Sequence, residues 1–316
     1  MNKAPAIEAK DLTKKFGDTT AVDGLTLSVA SGEIFGLVGP DGAGKTTTMR
    51  LLTGVIQATA GSATVLGVEV TRDPEAIRPR IGYVPQNSSL YADLTVVENL
   101  QFHADLFGIP RVERDRKMTE LLSFSRLEPF SRRLAKNLSG GMRQKLALCA
   151  ALIHRPEVLF LDEPTIGVDP VSRRDFWLLI YQLLQQGLTL LVSTPYLDEA
   201  ERCHRVGLMD HGRLIACESP AALRQLLPGT LVELRGPAPE AASALLGRLP
   251  EVKEAQVFGE TLHLLVRDIE RDLPRLQAVL QAEGFAEAHL RPIIPSLEDV
   301  FVTLLRQRPE GSIPEP

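Results

Sequence analysis

Eight consecutive residues, Gly39-Pro40-Asp41-Gly42-Ala43-Gly44-Lys45-Thr46, constrain this 316-residue chain more than any other stretch. They fit the pattern G-x-x-x-x-G-K-[ST] and lie between an apolar run, Ile34 to Val38, and a helical one, Lys45 to Thr53. A glycine loop joining a buried strand to a helix turns successive backbone N–H groups inward, and the helix adds the positive end of its dipole. Such a loop cradles phosphate. The pattern assigns Gly39, Pro40, Asp41, Gly42, Ala43, Gly44, Lys45, Thr46 and Thr47 to a nucleotide, with Lys45 neutralising the β/γ-phosphates and the Thr46 hydroxyl offered to Mg²⁺. A bare strand-to-helix turn is the competing reading; strand, helix and all the fixed positions occurring together favour the nucleotide. Asp41 is the odd member, because a carboxylate at the loop tip repels phosphate unless it points to solvent.

Two later segments supply what such a loop needs. Val158-Leu159-Phe160-Leu161-Asp162-Glu163 is a buried strand ending on acids. Asp162 is placed to hold the Mg²⁺ shell, and Glu163, one residue on, to accept a proton from an attacking water. Leu138-Ser139-Gly140-Gly141-Met142 opens a helix with a hydroxyl at the cap and two residues lacking Cβ, a second place where an anion can approach backbone amides. Standing alone, each segment has a plain reading as a strand end and as an ordinary capped turn.

Organisation follows from periodicity. Residues 1–227 form a first domain, in which about Ala6 to Arg224 alternates short apolar strands with helical stretches, the pattern of an α/β domain on a parallel sheet. Strands are expected over Ile34–Val38, Leu159–Leu161 and Leu188–Ser193. An inserted section, about 91–154, has helical character. There Thr95 and Glu98 form a capping box, Val96, Val97, Leu100, Ala104 and Phe107 recur at helical spacing, and Gly108-Ile109-Pro110 stops the helix. A second helix is expected from Ser139 to Arg155, closed by Pro156. Residues 228–306 read as a small α+β domain, with strands 231–234, 252–257 and 262–266 and helices 241–249, 273–283 and 296–306; residues 307–316 read as a flexible tail.

Composition excludes several classes. A formal net charge of −5 gives no concentrated basic face for nucleic acid, and Arg132-Arg133 and Arg173-Arg174 read as solvated helix surface. No window is apolar enough to span a bilayer, no apolar leader follows Met1, and any membrane role is expected through a partner. Cys149, Cys203 and Cys217 lack metal spacing and read as reduced thiols, and the scattered histidines suggest no zinc site.

Together these residues resemble the ATP-binding subunits of ABC transporters, over about Ala6 to Leu226. Leu138–Met142 resembles the family's signature sequence. Phe16 stands where the family stacks an aromatic ring on adenine. Gln86, in Tyr83-Val84-Pro85-Gln86, is similar to the glutamine that joins the Mg²⁺ site to the membrane partner, and Val168-Asp169-Pro170 to the loop whose Asp169 faces the other ATPase domain. The resemblance implies a P-loop NTPase of the ABC type binding ATP and Mg²⁺. Its catalytic residues would be Glu163, Lys45 and Gln86, and its metal site Thr46, Gln86 and Asp162. One domain's loop and the other's Ser139, Gly140 and Gly141 would sandwich the nucleotide. It also implies that this chain lies on the cytoplasmic face of the membrane, held there by a multi-span permease partner met through Leu90, Tyr91 and Leu94, residues that equally suit packing of the helical section. Pro295-Ser296-Leu297-Glu298-Asp299-Val300-Phe301 resembles the ending of ATPases serving multidrug and antibiotic exporters.

One departure stands out. Ser193-Thr194-Pro195-Tyr196 is similar to the family's switch loop, with Pro195 in place of its histidine. Proline offers no side-chain donor and no N–H. A slow site follows, working in a heterodimer with a second, complete ATPase or, less simply, in a homodimer. A nucleotide-sensing regulatory subunit with little hydrolysis is the alternative, and an importer, a ribosome-acting or a DNA-repair ATPase fits the sequence less well.

Overall fold

A computed structural model describes residues 4–307 except Ser88 and Ala286. The expected tail, beyond Gln307, lies outside the described residues. The chain forms two compact units, 1–219 and 220–316. This division falls short of the expected boundary at 227 because a short helix from Pro220 belongs with the second unit, where Arg224 Nε donates to the Pro295 carbonyl at 2.9 Å.

The first unit runs β1 (Pro5–Phe16), β2 (Thr19–Ala30), β3 (Ile34–Val38), α1 (Lys45–Leu52), β4 (Ala60–Val65), β5 (Val68–Glu69) and β6 (Ile81–Val84). It continues with α2 (Val96–Leu106), α3 (Arg111–Ser125), α4 (Gly140–Leu152), β7 (Val158–Asp162), α5 (Pro170–Gln185), β8 (Thr189–Thr194), α6 (Leu197–Ala200), β9 (Arg205–Asp210) and β10 (Arg213–Glu218).

The central sheet has the order β10-β9-β3-β8-β7-β6 and is parallel except for β10. Every residue of β3, β7 and β8 is buried, as expected for strands covered on both faces, and this explains their continuous apolar cores, Ile34–Val38, Val158–Leu161 and Leu190–Val192. The expectation of strands and helices alternating from Ala6 onward needs correction. β1 and β2 are each 12-residue strands and, with β4 and β5, form a separate antiparallel sheet. In β2 from Leu25 onward one face is buried and the other exposed, a period-2 pattern that differs from the continuous runs of the central sheet.

In the helical section the capping box at α2 is present: Thr95 Oγ1 accepts the Glu98 N–H at 3.2 Å, and Glu98 Oε2 accepts the Thr95 N–H at 2.8 Å. Asn99, fully buried, accepts the Tyr91 N–H and donates to the carbonyls of Tyr91, Leu94 and Thr95, which pins residues 91–95 ahead of α2. The sequence reading passed over α3. Its first seven residues carry no apolar stripe, and it is held by Met118 and Leu122 packing with Val96, Leu100, Leu146, Cys149 and Ile153. Tertiary burial, not periodicity, makes this a helix. Arg132 and Arg133 lie in a turn rather than on a helix. Burial pushes the Cys149 thiol up to about 12.

The second unit runs α7 (Pro220–Arg224), β11 (Thr230–Arg235), α8 (Pro239–Leu246), β12 (Val252–Phe258), β13 (Thr261–Val266), α9 (Ile269–Ala282), β14 (His289–Pro292) and α10 (Leu297–Arg306). Its sheet is antiparallel with the order β12-β13-β11-β14. From β11 to β14 this is the split β-α-β-β-α-β arrangement of ferredoxin-like domains. Val232, Leu234, Leu262, Leu264 and Val266 form its core with Ala242, Leu246, Leu276 and Leu280. The edge strand β14 escaped the sequence reading: four residues with only Leu290 part-buried carry too little pattern to register. Among the described residues of both units, no helix is long and apolar enough to cross a membrane.

Candidate nucleotide-binding site

The C-terminal ends of β3, β6, β7 and β8 bring the candidate residues together, the position where open parallel sheets hold ligands. The loop after β3 reaches α1 through Gly44, whose φ of 97° is open to glycine alone; a Cβ there would also lie 2.4 Å from the Ala21 carbonyl oxygen. No side chain caps α1, so its first N–H groups stay available to an anion. Lys45, 4% exposed, donates through Nζ to the carbonyls of Gly39 and Pro40 at 2.8 and 2.9 Å. Its ammonium also lies 3.1 Å from Glu163 Oε1. Gln86 Nε2 donates to the other Glu163 oxygen at 2.7 Å. The carboxylate of Glu163 is thus shared between the phosphate-loop lysine and the glutamine after β6, two residues linked until now by resemblance alone.

Asp162 is fully buried beside this group. Its Oδ1 accepts from Thr46 Oγ1 at 3.1 Å and from Ser193 Oγ at 2.6 Å, and Tyr83 OH donates to Oδ2 at 3.3 Å. Burial, reinforced by the Asp162 carboxylate, pushes the Tyr83 phenol up to about 12, so it stays a donor at neutral pH. The sequence reading assigned no role to Ser193 or Tyr83. The available signal was weak: Tyr83 is the one polar side chain of β6, but Ser193 shares β8 with Thr189 and Thr194.

The other candidates sit apart. Asp41 is exposed at the loop tip, the orientation that avoids repelling phosphate, and Phe16 is 52% exposed at the end of β1. Ser139 caps α4 and accepts the Met142 N–H at 3.3 Å, while Asp169 caps α5 and accepts the Ser172 N–H at 2.9 Å. That backbone hydrogen bond holds the Asp169 carboxyl below its usual range. Among the described residues, no hydrogen bond or ion pair joins Ser139, Gly140, Gly141 or Asp169 to the Lys45–Glu163 group. Ser139 is exposed and Gly140 half-buried, but Gly141 is packed against α5, where a Cβ would fall 2.4 Å from Ser172 Cβ. Gly141→Ala is therefore expected to push α4 from α5 and lower stability by about 1–3 kcal/mol, read from the urea midpoint.

Pro195 is half-buried after β8. The loop carrying it is anchored by Glu199, which is fully buried and accepts from Thr194 Oγ1 at 2.8 Å and Thr165 Oγ1 at 2.6 Å. Arg173 Nε lies 3.6 Å from the same carboxylate and its guanidinium 4.3 Å from the Tyr196 ring, so Arg173 is not the solvated residue its sequence suggested. His204 does not replace the missing imidazole: its Nδ1 accepts the Ile34 N–H at 3.0 Å, at the opposite end of β3 from the loop.

An uncapped helix start, a buried ammonium, and hydroxyl and carboxylate oxygens side by side suit a triphosphate with a hard divalent ion. The fold and this donor set define a P-loop nucleotide-binding α/β protein. The family model described as ABC transporter matches residues 22–166, ending before the loop that holds Pro195. Nod factor export ATP-binding protein I of Paraburkholderia xenovorans (strain LB400) is 40% identical over 301 residues, covering 95% of this chain and 96% of that protein. The chain belongs to the ATP-binding proteins of ABC transporters. Probable multidrug ABC transporter ATP-binding protein YbhF of Escherichia coli (strain K12) is 41% identical over 310 residues, 96% of this chain; the chain spans 53% of that relative's length. Among solved structures, the ATP-binding subunit of an ABC transporter superposes with a TM-score of 0.63 at 29% identity, over 70% of this chain and 92% of that one. The cassette MJ0796, as a dimer bound to ADP and Pi, gives a TM-score of 0.62 at 26% identity, over 67% and 98%.

Proposed function

We propose that this chain binds and hydrolyses ATP to drive an ABC exporter of drug, antibiotic or lipid-like molecules, pairing with a second ATPase domain. The observation that carries this reading is Glu163, positioned between Lys45 and Gln86 at 3.1 and 2.7 Å, one residue beyond the buried Asp162. In the bound complex Lys45 turns its ammonium from Glu163 to the β/γ-phosphates, and the freed carboxylate accepts the proton of the attacking water. Thr46, Gln86 and Asp162 would hold Mg²⁺, which neutralises charge that develops on the phosphates. Thr46 suits this task because its proton already goes to Asp162, leaving its lone pairs for the ion.

Ser139, exposed, and Gly140, half-buried, stand at the start of α4 with no hydrogen bond to this chain's own lysine among the described residues, and suit the covering of a nucleotide held by a partner domain. Asp169 beside them suits the same contact. The relative named for Nod factor export and the one named a probable multidrug transporter protein support export as the direction. On the cytoplasmic face of the membrane, this chain would meet the multi-span permease beside Gln86. There Tyr91 is 48% exposed against the edge of Phe102, whereas Leu90 packs on the helical core.

Because Pro195 removes a donor from the cis site while the trans-acting Ser139 and Gly140 are intact, a heterodimer with a complete partner is favoured over a homodimer. Glu163→Gln keeps the shape of the side chain and removes the base. Turnover is expected to fall by at least about 10²-fold with ATP binding retained, measured by phosphate release and by nucleotide titration. Equal turnover in the variant would refute Glu163 as the base.

A further inference from the structure

Ser193, at the start of the segment that resembles the switch loop, makes contacts to which that resemblance assigns no role. It sits on β8 directly opposite Asp162 in the parallel register with β7, so the two side chains share one face of the sheet. The hydroxyl is fully buried and donates to Asp162 Oδ1 at 2.6 Å, the short distance of a charge-assisted bond. The same oxygen accepts the Glu163 N–H at 3.0 Å, alongside the Ser193 carbonyl at 3.1 Å. Glu163 has a φ of 50°, the left-handed region that a side-chain-bearing residue enters only where its surroundings hold it. That backbone turn accompanies the placement of the Glu163 carboxylate against Lys45 and Gln86.

We propose that Ser193 is the positioning residue of this ATPase site: one hydroxyl fixes the carboxylate that holds the divalent ion and the backbone of the residue that acts as base. This deepens the reading of Asp162 and Glu163 given above and rests on it. Thr46 also donates to Oδ1, but its oxygen is the one that faces the ion, and Tyr83 reaches only the other oxygen, at 3.3 Å; Ser193, at 2.6 Å, is the shortest contact that orients Asp162 without itself touching the ion. The inference also bears on Pro195. The switch loop leaves β8 two residues after Ser193, and the site keeps its contact with β8 through the serine although the loop has lost its histidine.

The test measures Mg²⁺ dependence of ATP binding in the full chain, with a fluorescent ATP analogue titrated at fixed Mg²⁺ concentrations and in EDTA. Ser193→Ala is expected to raise the Mg²⁺ concentration at half-effect about 10-fold and to lower kcat 10- to 100-fold, the usual range for partners that orient metal ligands. Affinity in EDTA should be unchanged, and Ser193→Thr should restore the Mg²⁺ midpoint. A merely structural serine would shift the melting temperature and leave the Mg²⁺ midpoint in place, and that result overturns the proposal. Asp162→Asn separates the two readings. If it fails to move the midpoint, the assignment of Asp162 is wrong; if it moves the midpoint and Ser193→Ala does not, only the serine's role falls. Should Ser193→Ala not fold, Ser193→Cys, near in size and a weaker donor, must show the same direction of shift, and a Cys variant with the native midpoint also overturns the proposal.

Discussion

Lys45→Ala is expected to weaken ATP binding by about 100-fold, the largest change any single side chain of the site should produce. The ammonium is already ordered before the nucleotide arrives, bonded to the carbonyls of Gly39 and Pro40, so little entropy is lost when it exchanges Glu163 for phosphate. Charge-assisted hydrogen bonds of this kind contribute about 1.5–3 kcal/mol, and 1.4 kcal/mol is a tenfold change in affinity. The substitution also leaves the buried Glu163 carboxylate with Gln86 but no cation. Removing one partner of a buried pair costs about 3–5 kcal/mol, and the hydrogen bond from Gln86 reduces that figure. Binding should therefore be titrated by calorimetry on protein shown to be folded by circular dichroism. Unaltered affinity for ATP in folded Lys45→Ala would remove the basis of the nucleotide reading.

Pro195→His is expected to act in the opposite direction and raise the rate of hydrolysis by about 10²–10³, the amount that one preorganised donor near a developing charge contributes. The scaffold for that imidazole is already built. Glu199 fixes Thr194, whose Oγ1 accepts the Tyr196 N–H at 3.1 Å, so the residue between them leaves β8 along a defined path. Proline also restricts the residue before it, and Thr194 stays extended within β8, so the exchange asks for no new backbone course there. Single-turnover phosphate release at saturating ATP measures the effect. A rate that is unchanged, or a wild-type protein that turns over rapidly alone, would mean that the site never depended on a switch residue and that the preference for a heterodimer has no foundation.

The glycine loop, the Asp162-Glu163 pair and the Ser139-Gly140-Gly141 turn could be read directly because each is contiguous: chemistry compressed into a few adjacent residues survives without coordinates. The buried strands β3, β7 and β8 were legible for a related reason, since burial on both faces leaves several consecutive apolar residues in each. Helix α3 was not, because its charged first turns are tolerated only through the packing of Met118 and Leu122 on α2 and α4. Strand β14 was missed because an edge strand of four residues is defined by its partner β11 rather than by its own pattern. Ser193 and Tyr83 escaped as site residues although both stood in segments already marked. Their significance is a distance to Asp162, and distances across a sheet depend on the register of strands far apart in the chain.

The sequence by itself determined the kind of chemistry: phosphate bound by loop amides and a lysine, acids to hold an ion and take a proton, and a loop lacking its histidine. Local order sufficed, because hydrogen-bonding capacity and backbone freedom belong to residue types. Only the tertiary structure decided which groups act on which. It joined Lys45 and Gln86 through one carboxylate, set Ser193 against Asp162, turned Gly141 into a packing contact and tied Arg173 to the switch loop. The reason is that pairing β3, β6, β7 and β8 in parallel register gathers strand ends more than a hundred residues apart into a single buried site.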